Sequence, residues 1–361
     1  MADATLEDPE NLMSKSLRVV VATPLSDELA AWIREQEPRL ELVHEPALLP
    51  HMRHAADHGG DPSFRRTPEQ QREFDSLVDS ADALYGVPDG DSGALRRAAD
   101  ANANLRWVHT MAAGGGGQVK QAGLSQEQLD RIMFTTSAGV HAQPLAEFAL
   151  FGLLAGAKTL DRLQRQQRNR EWTDRWMMGQ LAQQTILVVG LGGIGRRVAR
   201  LLDALGATVI GTSRHATSVP GVSSVIHPDD LVTVAGEVDG VVVTLPGTDA
   251  TEGLLGAEFF GALRPGATIV NVGRGSVIRE DSLVSALDSG IVGFVALDVF
   301  ATEPLPADSA LWHMSNVIIS PHTAALSATE DRLIAEVFVA NATRLLDGEE
   351  LSNRVNTVEF Y

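Results

Sequence analysis

Four side chains able to do chemistry follow predicted strands in the last third of the sequence. They are Arg274 in NVGRG, Asp298 and Glu303 in ALDVFATEPLP, and His322 in SPHTAAL. Residues just after parallel strands form the sites of α/β proteins, so these side chains can converge. A guanidinium fork can orient a carboxylate and a carbonyl, a histidine can protonate the developing alkoxide, and a carboxylate can keep that histidine protonated. Such a set is suited to the reduction of an α-keto acid.

Each of these residues, taken alone, also has an ordinary structural explanation. Arg274 could form a surface ion pair, and Glu303 could be a loop acid before Pro304. His322 could be a hydrogen-bonded histidine at a strand end. The functional interpretation depends on their occurring together, beside a glycine-rich motif.

That motif, GLGGIG, lies between a strand-like run and a helical pattern. Gly190, Gly192 and Gly195 directly follow ILVV, and apolar residues then recur at the spacing of one helix face. This context makes a weak motif a strong prediction of a dinucleotide site. The first glycine allows a tight turn, the second lets a pyrophosphate approach, and the third lets the helix pack on the strand. Gly193 and Ile194 complete the turn, where helix N–H groups would hold the pyrophosphate. A glycine turn without a ligand is the alternative.

The end of the next strand bears on which dinucleotide binds. NAD sites usually place an acid there for the ribose 2′-hydroxyl, but VIGTSRH has Ser213 and Arg214. A hydroxyl donor and a guanidinium fork suit a 2′-phosphate, which a carboxylate would repel. The sequence therefore predicts NADP(H). NAD is the alternative if Arg214 is solvated or stacks on the adenine.

The chain contains two alternations of strand-like and helical segments. The first covers residues 17–140 and includes a helical pattern over 27–36. A long helical pattern, apolar and then polar, runs over 145–170 and predicts a helix that connects two domains. A second alternation follows from residue 185, with runs apolar on both faces that are typical of a buried parallel sheet. The predicted fold is α/β, with two doubly wound domains.

A polar excursion between Pro50 and Gln70 interrupts the first alternation. His51, His54 and His58 lie there at helical spacing and could form a metal-binding face. No carboxylate lies in register with them, so solvated polar side chains near a Gly-Gly stop are the preferred interpretation. No metal site is predicted.

The composition excludes several classes of protein. Of 361 residues, 44% are hydrophobic and 21% charged, as in a globular protein, and none is cysteine. Disulfides, thiolate metal sites and a cysteine nucleophile are therefore excluded. The net charge of −18 opposes nucleic-acid and anionic-membrane partners. The N-terminus, MADATLEDPENLMSKS, lacks the basic start and apolar core of a signal peptide, and no apolar run could span a bilayer. A cytoplasmic protein is expected.

The motifs resemble, in order and spacing, those of the D-isomer-specific 2-hydroxyacid dehydrogenase family. The patterns GxGxxG, NxxRG, DVxxxEP and PH are matched, and the resemblance covers nearly the whole chain. It implies that Arg274 binds the keto-acid carboxylate and polarises the carbonyl. His322 would be the general acid for reduction and the base for oxidation, and Glu303 would pair with it and keep it protonated. Asp298 would bind the nicotinamide carboxamide.

The same resemblance implies a domain organisation. A Rossmann NAD(P)-binding domain, residues 144–322, would be inserted into a discontinuous, flavodoxin-like substrate domain. That second domain would comprise residues 1–143 and 323–361. Members of the family usually dimerise through the cofactor domain, so a homodimer is expected.

Further positions take their roles from the resemblance. LRWVHTMAAGGGG resembles the loop whose N–H groups hold the substrate carboxylate, which assigns Ala113 and Gly114 to substrate binding. TLPGTDAT resembles the segment that lines the adenosine side of the cofactor. The cofactor-binding residues predicted in TLPGTDAT and NVGRG are Leu245, Pro246, Thr251, Val272 and Gly273.

The substrate is less constrained than the chemistry. LWHM resembles the glyoxylate and hydroxypyruvate reductase branch, and its Trp312 could cap a small substrate or pack in the core under the last strand. The predicted function is NADPH-dependent reduction of a small 2-keto acid to a D-2-hydroxy acid. One alternative is an NAD-dependent dehydrogenase of the phosphoglycerate type. Another is a non-catalytic, dinucleotide-sensing binding protein, which the complete set of Arg274, Glu303 and His322 argues against.

Overall fold

A computed structural model describes residues 16–358 and residue 360. The chain forms two compact units, Met1–Val140 with Leu326–Tyr361 and His141–Ala325. The prediction that the N-terminus is not a signal peptide concerns residues 1–16, of which residues 1–15 lie outside the described part of the chain. Within the described part, no helix is both long enough and apolar enough to cross a membrane.

The first unit is built on a parallel five-stranded sheet. Its strands are short apolar runs such as LRVVV, in which nearly every side chain is buried. They are β1 (Leu17–Val21), β2 (Leu40–Val43), β3 (Ala83–Tyr85), β4 (Trp107–Thr110) and β5 (Met133–Thr136). Their order in the sheet is β2-β1-β3-β4-β5, which is the flavodoxin-like order of a doubly wound sheet.

Helices connect these strands, and side-chain caps begin several of them. The Ser26 hydroxyl accepts the Leu29 N–H at the start of the first helix, and Thr67 and Gln70 form a capping box at the start of the second. The first helix covers the residues predicted from the sequence. The helices are α1 (Asp27–Gln36), α2 (Pro68–Asp79), α3 (Ser92–Ala101), α4 (Gly116–Ala122) and α5 (Gln126–Arg131).

The second unit is built on a parallel seven-stranded sheet. Its strands are β6 (Thr185–Val189), β7 (Thr208–Thr212), β8 (Ser224–Ile226), β9 (Gly240–Val243), β10 (Ala267–Asn271), β11 (Val292–Leu297) and β12 (Val317–Ile319). The order β12-β11-β10-β9-β6-β7-β8 is the Rossmann order extended by one strand. Since β6 comes first in this unit and lies between β9 and β7, the strand order reverses beside its carboxyl end. Ligands of doubly wound sheets bind at this reversal.

The helices of the second unit flank this sheet. They are α6 (Ala142–Ala157), α7 (Leu160–Asn169), α8 (Gly193–Ala204), α9 (Leu231–Ala235), α10 (Ala257–Ala262) and α11 (Glu280–Asp288). The chain then returns to the first unit through α12 (Glu330–Asp347). The predicted α/β fold, a Rossmann unit inserted into a discontinuous flavodoxin-like unit, is confirmed.

The single helix predicted over 145–170 is wrong. Two helices, α6 and α7, occupy this region, and Thr159 between them has a left-handed φ of +51°. The apolar α6 lies on the sheet closely enough that a Cβ on Gly156 would be 2.1 Å from the Thr268 hydroxyl. The polar α7 has no buried residue. The chain therefore turns where the apolar pattern stops.

The histidine-rich excursion agrees with its prediction in part: His51 and His54 are exposed, as expected of solvated side chains, but His58 is not. Residues 51–58 form turns and not a helix, so helical spacing does not align these histidines. His58 is half-buried and ion-paired, because its Nε2 lies 3.1 Å from Glu330 Oε1 and its Nδ1 lies 3.8 Å from Asp331 Oδ1. The Ala56 N–H also donates to Asp331 Oδ2. These contacts hold the excursion against the first turn of α12. Among the described residues, no group of His, Asp or Glu side chains could hold a metal ion.

One histidine lies in the core of the first unit. His109, on β4, is fully buried among the rings of Tyr85, Trp107 and Phe338. Desolvation lowers the pKa of its imidazole to about 3, because burial penalises the charged form. The unfolded chain therefore binds a proton at His109 at a pH where the folded chain does not.

We expect His109 to make the first unit sensitive to mild acid. As pH falls below the ordinary histidine value of 6.5, protonation of the unfolded state removes up to about 1.4 kcal/mol of stability per pH unit, until pH approaches 3. His109→Gln lacks this titration. The free energies of unfolding of the two proteins, measured in urea between pH 7.5 and about 4.5, should therefore converge as pH falls. A constant difference across this range would contradict the prediction.

Candidate active site

The glycine-rich turn after β6 has the close contacts that its sequence predicts. Gly190 has a φ of +104°, which favours glycine, and its N–H donates to the Thr212 hydroxyl at 2.8 Å. Its carbonyl oxygen accepts a bond from the Thr244 hydroxyl at 2.6 Å. A Cβ on Gly195 would lie 1.9 Å from that same oxygen. Glycine is therefore required at 190 and 195 by the protein itself.

The two middle glycines have a different environment. Gly192 has an ordinary extended backbone, and a Cβ on it or on Gly193 would meet no described atom within 4 Å. Nothing in the fold requires glycine here. Both lie at the start of α8, where unpaired N–H groups of the first turn, including that of Ile194, favour an anion. The residues present therefore fit a dinucleotide whose pyrophosphate approaches this turn.

The residues after β7 form a turn without an acid. The Ser213 hydroxyl oxygen accepts the N–H groups of His215 (3.2 Å) and Ala216 (2.8 Å), which leaves its O–H free to donate. Arg214 is exposed. The turn thus presents a hydroxyl donor and a guanidinium at the position where an NAD site usually has a carboxylate.

The segment after β9 packs against both glycine loops. A Cβ on Gly190 would lie 2.7 Å from Leu245 Cδ2, and a Cβ on Gly273 would lie 2.5 Å from the Leu245 carbonyl oxygen. The Thr251 hydroxyl donates to the Pro246 carbonyl and accepts the Thr248 N–H, so its contacts shape the loop itself. Of the residues predicted here, Leu245 lies beside the turn of Gly190, and Gly273 packs on the Leu245 backbone.

Arg274 lies in a turn after β10 that hydrogen bonds from one side chain close. The Asn271 side chain accepts the Gly273 N–H (3.0 Å) and donates to the Arg274 carbonyl (3.0 Å), which closes the turn. A Cβ on Gly275 would lie 1.9 Å from the Phe300 carbonyl carbon, so the loops after β10 and β11 touch there. The Arg274 side chain is exposed, and one of its N–H groups donates to the Gly273 carbonyl.

Glu303 and His322 form a pair. His322 Nδ1 lies 2.7 Å from Glu303 Oε2, and Glu303 Oε1 accepts the Phe300 N–H at 2.9 Å. Partial burial acts to raise the pKa of the Glu303 carboxyl. Hydrogen bonds from His322 and Phe300, with the charges of His322 and Arg274, outweigh it and hold this pKa below its ordinary value. The carboxylate is therefore ionised at neutral pH and engages Nδ1, not Nε2, of His322.

A buried carboxylate holds the backbone on both sides of His322. Asp298 Oδ1 accepts the Ser320 hydroxyl (2.7 Å) and the N–H groups of Thr323 (2.9 Å) and Ala324 (3.0 Å). His322 itself has a left-handed φ of +54°, which is unfavourable for a non-glycine residue. These contacts support that conformation. Sequence reasoning missed Ser320; its only signal was a hydroxyl directly before Pro-His at a strand end.

We expect Ser320→Ala to lower kcat about 3–10-fold, because the loop of His322 loses a hydrogen bond to a charged acceptor worth about 1–2 kcal/mol. The KM for the cofactor should stay within about twofold of wild type. Ser289→Ala is the control, since the Ser289 hydroxyl bonds the Ala286 carbonyl at the end of α11, outside this loop. Steady-state kinetics of the two variants test the prediction, and equal kcat values would contradict it.

Trp312, Ala113 and Gly114 are the remaining predicted residues. The Trp312 side chain is 49% exposed, whereas its neighbour Leu311 is fully buried, so the core-packing alternative for Trp312 is wrong. Its indole N–H donates to the Pro306 carbonyl at 2.9 Å. Ala113 and Gly114 belong to the first unit, after β4. Their amides donate to no acceptor among the described residues.

Comparison with known proteins identifies the family. Residues 150–324 match the model of the D-isomer specific 2-hydroxyacid dehydrogenase, NAD binding domain. An uncharacterised protein of Corynebacterium melassecola is 31% identical over 72% of this chain and 84% of its own length. Glyoxylate/hydroxypyruvate reductase A of Serratia proteamaculans is 34% identical over 56% of this chain and 65% of its own length. D-3-phosphoglycerate dehydrogenase of Mycobacterium tuberculosis is 32% identical over 76% of this chain, which spans about half (52%) of that enzyme.

Solved structures agree with this assignment. A D-isomer specific 2-hydroxyacid dehydrogenase from Xanthobacter autotrophicus, in complex with NADPH and MES, superimposes with a TM-score of 0.75 at 28% identity, covering 96% of this chain and 100% of that one. An NADPH-dependent glyoxylate/hydroxypyruvate reductase from Sinorhizobium meliloti, in complex with NADP and sulfate, gives 0.74 at 25% identity, with 96% and 100% covered. The fold, the fingerprint turn and these relatives agree: the chain belongs to the D-isomer specific 2-hydroxyacid dehydrogenase family of NAD(P)-dependent oxidoreductases.

Proposed function

We propose that this protein is an NADP(H)-preferring reductase of small 2-keto acids, such as glyoxylate or hydroxypyruvate, and that it forms D-2-hydroxy acids. The observation that carries the proposal is the 2.7 Å pair of His322 and Glu303, with Arg274 near enough for its charge to lower the pKa of Glu303. A proton donor, its carboxylate partner and a guanidinium are the groups that keto-acid reduction requires.

Arg274, His322 and Glu303 have separate roles in this reaction. When bound, NADPH supplies the hydride to the carbonyl carbon. Arg274 orients the carboxylate and carbonyl of the substrate and stabilises the negative charge that develops on oxygen. His322 Nε2 delivers a proton to that oxygen, while Nδ1 stays bonded to Glu303, which stabilises the protonated imidazole before transfer. In the oxidative direction, His322 accepts this proton.

Two further roles complete the proposal. The free amides of Ala113 and Gly114 would receive the substrate carboxylate, as backbone N–H groups do in anion nests. The exposed ring of Trp312 would cap a small substrate side chain. The carboxamide of the nicotinamide would contact Asp298, and Val272 would line the cofactor site beside Gly273.

The decisive experiment measures loss of reduced-nicotinamide absorbance with glyoxylate or hydroxypyruvate, using NADPH and NADH in parallel. We expect faster loss with NADPH, and D-glycerate as the product from hydroxypyruvate. Loss with NADH alone would contradict the cofactor preference, whereas no loss with either would contradict the substrate class. Bulkier keto acids would then be tested.

A second candidate function is oxidation of D-3-phosphoglycerate. The similarity to D-3-phosphoglycerate dehydrogenase, which extends over 76% of this chain, favours it. That activity would appear as reduction of NAD by D-3-phosphoglycerate. We expect it to be at least tenfold weaker in kcat/KM than hydroxypyruvate reduction with NADPH.

Arg214→Ala tests the cofactor preference. Loss of a charge-assisted hydrogen bond to the 2′-phosphate, worth about 1.5–3 kcal/mol, should lower kcat/KM for NADPH about 10–100-fold and leave that for NADH unchanged. The control is Arg200→Ala, which removes an exposed arginine from α8. Equal effects on NADPH and NADH, or an equal effect of the control, would contradict the role of Arg214.

A further inference from the structure

The core of the first unit contains a chain of hydrogen bonds that crosses from β4 to β5 and back. The Trp107 indole N–H donates to the Thr135 hydroxyl at 2.8 Å, and that hydroxyl lies 2.8 Å from His109 Nδ1. His109 Nε2 lies 3.1 Å from the Ser137 hydroxyl, which donates to the Thr110 carbonyl at 3.1 Å. We call these five residues the His109 relay. Nothing in the proposed reaction uses it.

One arrangement of protons satisfies every member of the relay. Since Thr135 accepts from Trp107, its own O–H can donate to His109 Nδ1. Since Ser137 donates to the Thr110 carbonyl, its oxygen can accept the His109 Nε2–H. The imidazole is then neutral, with its proton on Nε2, and all donors point toward Thr110. The relay members are 0% exposed, so each broken link would leave a buried polar group unpaired.

The end of the relay lies under the glycine-rich loop after β4. The Thr110 hydroxyl donates to the Ala112 carbonyl at 3.3 Å. A Cβ on Gly115 would lie 1.8 Å from the Thr110 hydroxyl oxygen, so the loop closes directly on the Thr110 side chain. Ala113 and Gly114 lie between these two contacts. A shift of Thr110 must therefore move the two amides that have no acceptor in the described chain.

We propose that His109 is a positioning residue, which sets the orientation of the Ala113 and Gly114 amides through Ser137 and Thr110. The proposal rests on the proposed function, in which these amides receive the substrate carboxylate. His109 does not touch the substrate; it orients the amides that receive the substrate carboxylate. A buried polar relay would suit this task, because hydrogen bonds fix a direction that apolar packing does not.

The test compares relay variants with a variant that weakens the same core without breaking the relay. Ser137→Ala and His109→Leu break it, and His109→Gln retains a donor and an acceptor. Phe338→Leu is the matched control, because Phe338 stacks on Trp107 at 4.7 Å and lies 5.7 Å from the His109 ring but donates no hydrogen bond. Each protein is assayed with hydroxypyruvate and NADPH, and its amide hydrogen exchange is measured over residues 110–118.

Ser137→Ala and His109→Leu should raise the KM for hydroxypyruvate about 5–20-fold, with kcat and the KM for NADPH within about threefold of wild type. Exchange over 110–118 should rise about tenfold in the same two variants. In His109→Gln, both the KM for hydroxypyruvate and the exchange over 110–118 should lie within about threefold of wild type. Phe338→Leu should lower Tm but change neither value. Unchanged exchange in Ser137→Ala, or an equal change in Phe338→Leu, would overturn the proposal. If amide exchange changes as expected but the wild-type protein reduces no keto acid, the result would support the relay and contradict the proposed function.

Discussion

Replacing His322 by asparagine is expected to lower kcat for keto-acid reduction about 10²–10⁴-fold, the usual contribution of a positioned general acid. Asparagine suits this test because, of the non-glycine residues, it tolerates a left-handed backbone well, and His322 has a φ of +54°. The variant should therefore keep the loop and lose only the proton donor. The KM for NADPH should change less than threefold, since the fingerprint turn lies elsewhere.

Glu303→Gln should reproduce part of this loss. The Glu303 carboxylate is hydrogen-bonded to His322 Nδ1, and its pKa is lowered. Its charge therefore acts on His322 fully above the ordinary carboxyl pKa of 4.5, and is lost only as the pH falls through the lowered pKa. At pH 7, glutamine removes the charge and keeps the shape, so we expect kcat to fall about 10–100-fold. The pair His322→Asn with Glu303→Gln should be little worse than His322→Asn alone, because the two residues act as one unit.

The control for both is His313→Asn, which removes an exposed histidine from the same unit. Single-turnover measurements with excess enzyme separate the chemical step from product release. If His322→Asn retained more than a tenth of wild-type kcat, another group would have to supply the proton. If the effects of His322→Asn and Glu303→Gln multiplied, the two would not form a functional pair.

The sequence predicts the strand ends well because a buried parallel strand is an apolar run with few alternatives. The fingerprint glycines are predictable for the same reason: strand, turn and helix follow one another locally. Arg274, Glu303 and His322 are predictable only as a pattern, since each alone has an ordinary explanation. Their convergence depends on the sheet order, in which β10, β11 and β12 are neighbours.

The contacts that sequence reasoning missed are long-range. Ser320 meets Asp298 because Leu297 pairs with Ile319 in the register of β11 and β12, and no local pattern specifies that register. His58 meets Glu330 across 272 positions of the sequence. The break near Thr159 separates the apolar α6, whose Gly156 lies on Thr268 of the sheet, from the polar α7. Periodicity describes one element at a time, so it cannot predict contacts between elements.

Arg274→Gln is expected to lower kcat/KM for the keto acid about 10²–10³-fold. Loss of a charge-assisted, two-pronged interaction with carboxylate and developing oxyanion removes about 3–4 kcal/mol of transition-state stabilisation. Arg274→Lys keeps the charge but lacks the planar fork, so we expect it to recover less than a tenth of wild-type kcat/KM. The two hydrogen bonds by which Asn271 closes this turn oppose a loop movement that could compensate for a shorter or differently shaped side chain.

The control for Arg274 is Arg279→Lys, because Arg279 is exposed in the same unit five positions along and lies 4.0 Å from Asp281. It should leave kcat/KM within about twofold. Arg274 also lowers the pKa of Glu303, so the neutral variant Arg274→Gln should allow that carboxyl to protonate at a higher pH than it does in wild type. In the pH profile of kcat, the acidic limb should shift to higher pH in Arg274→Gln. It should stay at the wild-type pH in Arg274→Lys, which retains the positive charge. Loss of activity without that difference between the two variants would mean that Arg274 acts by shape alone.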